Sequence, residues 1–359
     1  SDSVRALIVN TETGENVGQG VACYPRWKAG LYQHPEHSIF RQHPLDYLES
    51  LEKCITTALA ELTEEQKDHV IGIGVDTTGS TPVPVDKNGT PLALLDEFAE
   101  NENAMFFLWK DHAAAAEADE INKLFRNNSE NDYTKYQGDY SAEWYWAKIL
   151  YAVRHDEAIR QAAYTWEEHC DWMTGILCGE TRPEKIYHSA CAAGHKALWH
   201  SEWNGLPAAS VLEQLDPYLV QVRERYGNAP QPSTVKVGTL CPEWAKKLGL
   251  KESTVISGSS FDAHAGAVGA GIQKKTFVCT MGTSCVDMFV EKPENLKGKD
   301  IQAYCGQAEN SILPGYVGVE TGQAAFGDIF AWFKRLLEWP LAELAADENS
   351  GISDELYKK

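Results

Sequence analysis

Apolar and polar positions along the chain alternate in blocks that predict strands and helices in turn. VRALIV and NVGQGVACY flank the turn TETGE and predict an antiparallel hairpin. LDYLESLEKCITTALAEL carries apolar residues at helical spacing. VIGIGVDTT is a near-continuous apolar run, the pattern of a buried strand. TPVPV follows and ends in the turn signal DKNG; its two prolines predict an edge strand or an extended segment. From residue 104 to 180 the pattern is mostly helical, most clearly in DHAAAAEADEINKLF, SAEWYWAKILYAVR and EEHCDWMTGILCG. SACAAGHKALWH is rich in Gly and Ala and predicts an irregular segment, and PEWAKKLGL a short helix. STVISGSS starts a new buried strand, which places a domain boundary near residue 254. FVCTMGTSCVDMFV predicts a hairpin turning at Gly282-Thr283, and GQAAFGDIFAWFKRLLEW an amphipathic helix. The last stretch, LAELAADENSGISDELYKK, is polar and weakly patterned. Strands and helices alternate in both halves, so the fold class is α/β.

The 359 residues leave room for about two domains at roughly 100–200 residues each. A net charge of −20 without a basic block argues against nucleic acid and anionic membrane as partners. A small phosphate ligand stays open, because a few backbone N–H groups can hold one. The nine cysteines form no C-x-x-C pair and read as reduced, mostly buried thiols of a cytoplasmic protein. No apolar run approaches the ~20 residues of a membrane span. SDSVRALIVN has neither the basic leader nor the cleavage site of a signal peptide. The chain begins inside a strand pattern, which predicts a fragment.

The segment SGSSFDAHAGAVGAG draws attention first. A strand runs out into small residues, and Asp262 then stands at the strand's carboxyl end and near a helix N-terminus. Open α/β sheets bind ligands there, and the helix dipole favours an ionised acid. A general base needs such a carboxylate, exposed to a cleft and free of a salt bridge. The bland alternative is an aspartate that caps a tightly packed helix, at about even odds. GAVGAG has the wrong glycine order for a dinucleotide fingerprint. In TMGTSC a tight turn of Gly282, Thr283 and Ser284 offers N–H groups and hydroxyls to an anion. Most such turns are only turns, but this one follows Asp262 closely. Trp109, Lys110 and Asp111, just ahead of a helix, suit a sugar by stacking and hydrogen bonding; on composition alone, a helix cap with a buried Trp is the better explanation. Lys196 reads as a cleft lysine or a solvated one, and Glu320 as a ligand acid or a first-turn acid. His34, His37 and His43 lack zinc-type spacing and read as surface residues.

Together, VDTTGSTPVPVD, FLWKDHAAAAEADEI, SAEWYWAKIL, DWMTGILCG, CAAGHKALWH, SGSSFDAHAGAVGAG and TMGTSC resemble the FGGY carbohydrate kinases in wording and order, along nearly the whole chain. LWKDH and AAGHKALWH are most similar to the members that act on L-ribulose. The resemblance implies an actin-like (ribonuclease H-like) fold of two domains around a central cleft, here residues 1–254 for sugar and 255–359 for ATP, the second domain incomplete. It implies ATP-dependent phosphorylation of a ketopentose, L-ribulose in L-arabinose catabolism, with ATP and Mg2+, in the cytoplasm, and leaves a homodimer open. Asp262 matches the family's general base. Gly282, Thr283 and Ser284 match a phosphate-binding hairpin. Lys196 and Glu320 foremost, then Asp76, Gly79, Ser80, Trp109, Lys110 and Asp111, fall where the family lines its sugar pocket. Of the family's first phosphate motif only the tail is present, as Ser1, Ser3 and Arg5, without its metal-placing acid, so no metal ligand is assigned. The chain by itself is expected to lack most of the nucleotide site and to be inactive. Two further readings are a xylulose or polyol kinase of the same family and a kinase-like scaffold that binds sugar without transferring phosphate. A zinc hydrolase built on the three histidines is a remote third.

Overall fold

The computed structural model describes residues 2–282, 284–296, 299, 306–323 and 325–344. Ser1, Thr283 and the polar stretch after residue 344 lie outside the described residues. The chain opens with the expected hairpin, β1 (Ser3–Val9) and β2 (Asn16–Cys23), in antiparallel register. Its turn forms because Asn10 Oδ1 accepts from Glu12 N at 2.9 Å and Thr13 N at 3.2 Å. Helix α1 (Pro44–Leu59) packs directly on the hairpin. Glycine is required there: a Cβ on Gly20 would lie 2.1 Å from Cys54 O, and one on Gly18 2.6 Å from Ala58 O.

VIGIGVDTT is two strands rather than one, β3 (Gly72–Ile73) and β4 (Asp76–Thr77). β5 (Pro82–Val85) has the pairing its prolines predict, with one neighbour only. Three helices of the middle region follow the apolar periodicity: α2 (Ala115–Arg126), α3 (Tyr145–His155) and, after β6 (Thr165–Glu168), α4 (His169–Cys178). β5 and β6 pair antiparallel. The Gly/Ala segment expected to be irregular contains a short buried helix, α5 (Ala190–His195). Small residues let it lie close to another backbone, which the weak periodicity of such a short stretch does not reveal. Then come β7 (Lys236–Thr239), α6 (Pro242–Leu248), β8 (Val255–Ser257), β9 (Ser260–Phe261) and α7 (Asp262–Gly269). β8 runs parallel to β3, and β9 parallel to β4. The break at Gly74–Val75 thus faces the break at Gly258–Ser259.

The remaining strands are β10 (Val278–Met281), β11 (Cys285–Glu291), β12 (Gly306–Glu309) and β13 (Val317–Gln323), followed by α8 (Gly327–Leu344). They form an antiparallel sheet in the order β10-β11-β13-β12. Apolar burial is divided. One core gathers around Phe107, Ile121, Trp146 and Leu219, and a second around Tyr47, Val83, Trp172 and Ile256. A third, with Ala267, Met288, Val290 and Ile312, belongs to the last sheet. The eight described cysteines are all free, and Cys54, Cys170, Cys191 and Cys285 are buried. Among the described residues no helix is long and apolar enough to cross a membrane.

The histidine loop departs from the expected surface cluster. His43 is buried, because its Nδ1 caps α1 by accepting from Leu45 N at 3.2 Å. His34 pairs with Glu102 at 2.9 Å, and His37 is exposed.

Candidate active site

Parallel pairing of β4 with β9 sets Asp76 opposite Ser260, two residues before Asp262 opens α7. Both carboxylates face a cavity of about 370 Å³ that Asp2, Ser3 and Arg5 of the first strand also line. Asp262 therefore stands at a strand's carboxyl end and a helix N-terminus, as its sequence context predicts. It is the first residue of the helix rather than its cap, a place that Phe261 holds. Among the described residues its carboxylate accepts one hydrogen bond, from Ala263 N at 2.8 Å, and pairs with no cation. Asp262 and Asp76 are both exposed to solvent in the cavity, yet the protein atoms crowded around Asp262 strip away part of its water and push it above the usual carboxylate range despite the helix amides. Burial also raises Asp76, and the negative charge of Asp262 adds to that. On the cavity's far wall His169 stacks on Tyr47 at 3.9 Å between ring centroids, and burial pushes its imidazolium down to about 3.

Lys196 and Glu320 do not line this cavity. They meet each other instead, Nζ to Oε1 at 2.7 Å, both buried. The second oxygen of Glu320 lies 2.8 Å from His264 Nε2. Burial on its own would raise Glu320, but Lys196, His195 and His264 outweigh it and hold the acid well below its usual range. The Lys196 ammonium lies 5.2 Å from the ring centre of Trp144 and 5.8 Å from that of Phe261. The buried hydroxyl of Tyr140 donates to Lys196 O at 2.5 Å and accepts from Trp146 N at 2.9 Å, which sets the backbone beneath the amine.

The other sugar-pocket candidates form one supporting wall. Gly79 lies under Phe261, where a Cβ would come within 1.8 Å of the ring. Ser80 is buried and donates its hydroxyl to Glu168, which also accepts from Thr81 N at 2.8 Å. Lys110 sits over the rings of Phe40 (4.3 Å) and Trp27 (5.2 Å). Asp111 is fully buried against Arg41 and accepts from Phe40 N at 2.6 Å. Trp109 is half-buried beside them. In the hairpin turn, Gly282 N donates to Ser284 O at 2.8 Å, and Gly282 O receives Gly327 N from the start of α8 at 3.2 Å.

Three residues that join these groups were not singled out from the sequence. Lys148 donates to Ser80 O and Leu108 O, each at 2.8 Å, and so ties the Gly79–Ser80 loop to the segment of Trp109. Its signal was present: a lysine four residues after Trp144 in an apolar stripe. Glu168 carried no such signal, since EE before a helix reads as ordinary first-turn charge. His264 was visible beside Asp262, but nothing local says which way its ring points.

The N-terminal domain model of the FGGY family of carbohydrate kinases matches residues 1–269, and its C-terminal domain model residues 277–357. A ribulokinase of Vibrio parahaemolyticus is 47% identical over 346 residues, which cover 96% of this chain and 61% of that protein. A ribulokinase of Shouchella clausii is 35% identical over 345 residues, with 93% and 59% covered. The chain thus spans about three fifths of the length of the curated relatives it matches. In fold it is similar to a xylulose kinase from Rhodospirillum rubrum (TM-score 0.70, 17% identity, 96% of this chain and 62% of that one). A glycerol kinase from Plasmodium falciparum, solved with ADP, is similar to the same degree (TM-score 0.70, 14% identity, 97% and 63%). The expected α/β, actin-like fold of two domains is the one observed, and the chain belongs to the FGGY family of carbohydrate kinases.

Proposed function

We propose that the protein carrying this chain transfers the γ-phosphoryl group of ATP to the terminal hydroxyl of L-ribulose, giving L-ribulose 5-phosphate in cytoplasmic L-arabinose catabolism. The observation that carries the reading is Asp262, a solvent-accessible carboxylate without a cationic partner among the described residues, on one cavity with Arg5 and Asp76. The ribulokinase relatives support the choice of sugar.

Asp262 takes the hydroxyl proton as the sugar oxygen attacks the γ-phosphorus, and the bond to the leaving ADP oxygen breaks. A carboxylate raised by burial is a stronger base than one in water, which suits this step. Lys196 donates to the sugar's hydroxyls and Glu320 accepts from them. Trp109, Lys110 and Asp111 with Gly79 and Ser80 form the pocket wall, Asp111 and Ser80 acting through Arg41 and Glu168. The N–H groups and hydroxyls of Gly282–Ser284 and of Ser1–Ser3, with Arg5, hold the phosphates. Asp76, a hard oxygen donor on the same cavity, would hold a magnesium ion that screens phosphate charge, while Asp262 stays free to take the proton. We place the boundary between sugar and nucleotide domains near residue 254.

In the intact protein, Asp262→Asn should lower turnover ~10²–10⁴-fold, the usual contribution of a general base. Near-normal turnover removes Asp262 from the chemistry. A panel of L-ribulose, D-xylulose and glycerol decides the substrate, because buried polar groups reject a misplaced hydroxyl strongly.

A further inference from the structure

His264 follows Asp262 by two residues but faces inward, 1% exposed. Its Nδ1 lies 2.8 Å from Cys191 Sγ and its Nε2 2.8 Å from Glu320 Oε2, while Glu320 Oε1 accepts from Lys196 at 2.7 Å. The two oxygens of one carboxylate are thus divided between a histidine and a lysine. We propose that His264 is the positioning residue of the sugar pocket: by donating from Nε2 to Glu320 it fixes the carboxylate plane, and so the place where Lys196 and Glu320 meet sugar hydroxyls. This rests on the reading of Lys196 and Glu320 as the sugar-facing pair.

The direction of the bond follows from the groups. An ionised carboxylate can only accept, so Nε2 carries a proton whatever Nδ1 does. Cys191 complements either state of the ring, donating S–H to a bare Nδ1 or accepting from a protonated one. Burial pushes the imidazolium down, but Cys191 and Glu320 together outweigh it and hold the ring up at about 10.

The frame around the bond leaves Glu320 little room to turn. Cys191, His264 and Glu320 come from α5, α7 and β13. α5 lies against β12 with almost no gap: a Cβ on Gly194 would lie 2.4 Å from Ala308 Cβ, and one on Gly306 2.2 Å from His195 Nδ1. A carboxylate held by one cation could rotate about its own axis. Held at both oxygens inside this frame it has one orientation. The ligand atoms of His195, His264 and Glu320 lie within 4.8 Å of one another, a spacing that would suit a metal ion. The Lys196 ammonium on the same carboxylate excludes that use, because it would face the ion as a like charge.

The test is steady-state kinetics of the intact protein with L-ribulose and ATP varied separately. His264→Ala should raise the sugar KM by at least about tenfold, the weight of one charge-assisted hydrogen bond, and leave the ATP KM within about twofold. His264→Gln should recover most of the sugar KM, since its Nε2 can donate over a similar reach. A merely structural role would move both KM values, and Gln would not repair them selectively. A sugar KM unchanged in His264→Ala, or Gln no better than Ala, overturns the proposal. If His264→Ala does not fold, His264→Leu, which keeps the volume, takes its place. A wild-type protein inactive on every ketopentose overturns the functional reading instead. The hold on Glu320 is then read from amine acylation of Lys196 by mass spectrometry. It should rise in the Ala or Leu variant and not in Gln, and equal labelling in all of them overturns the proposal.

Discussion

A single buried carboxylate, Glu320, and a buried group of three, Glu167, Glu168 and Asp171, have their ionisation pushed in opposite ways. On one side Glu320 is met by Lys196 at 2.7 Å, His264 at 2.8 Å and His195 at 3.6 Å, and is held ionised. On the other, Glu167, Glu168 and Asp171 crowd together. His188 lies 3.0 Å from Asp171 and 4.0 Å from Glu167, and Glu167 Oε2 makes no hydrogen bond. Burial, then the charges of Asp171 and Glu168, pushes Glu167 well above the carboxylate range. The same side chain at the same depth therefore has its ionisation favoured in one place and opposed in the other. Burial always opposes ionisation, and the number of cations within reach decides whether it wins. Glu320 is itself one half of the proposed sugar-facing pair. The group of three supports the Gly79–Ser80 loop through Glu168.

The largest effect should come from breaking the ionised side. Glu320→Gln leaves Lys196 and His264 buried without their counter-charge and should cost about 3–5 kcal/mol in a denaturant or thermal melt. A loss under about 1 kcal/mol would mean that the two cations find other partners and that the contrast is shallow. A smaller effect should come from the wedge between the groups. Gly79→Ala drives a Cβ to 1.8 Å from the Phe261 ring, and displacing that ring should cost about 1–3 kcal/mol. Unchanged stability would show that Phe261 turns aside freely.

The smallest effect at neutral pH, under about 1 kcal/mol, is expected for Glu167→Gln, which replaces an acid whose ionisation is opposed by burial with a neutral near-isostere. Its dependence on pH sharpens the comparison. The folded pKa of Glu167 is raised above 4.5, so its contribution is fully present below that value and is lost as pH rises toward the folded pKa. The folded pKa of Glu320 is depressed below 4.5, so its contribution is present above that value and is lost as pH falls through the folded pKa. Melting temperatures from about pH 4 to 8 should therefore show Glu167→Gln gaining on the wild type as pH rises, and the deficit of Glu320→Gln shrinking as pH falls. Parallel pH curves for the two variants would erase the distinction.

Much of the architecture is legible from local pattern. The first hairpin, α1, the helices of the middle region and the last amphipathic helix follow apolar periods that span only a few turns or pairs. The break between β3 and β4 was not legible, because it matches a break at Gly258–Ser259 between the partner strands β8 and β9, far along the chain. Nor was the depth of His43, which is set by the helix it caps. In the candidate site, Asp262 and its strand-to-helix setting could be read directly, since strand, turn and helix are consecutive. Asp111 and Ser80 could be named but not their engagement with Arg41 and Glu168, which approach from 70 and 88 residues away.

By itself, then, the sequence determined the alternation of strands and helices, the family wording, and the identity of the acids and cations available to a site. Only the tertiary structure decided which acid has its ionisation favoured and which has it opposed. Lys196 reaches Glu320 across 124 positions of chain, whereas Glu167 and Glu168 are adjacent and repel each other. Electrostatic energy depends on distance through the interior and on the water excluded from it, and neither is a function of separation along the chain.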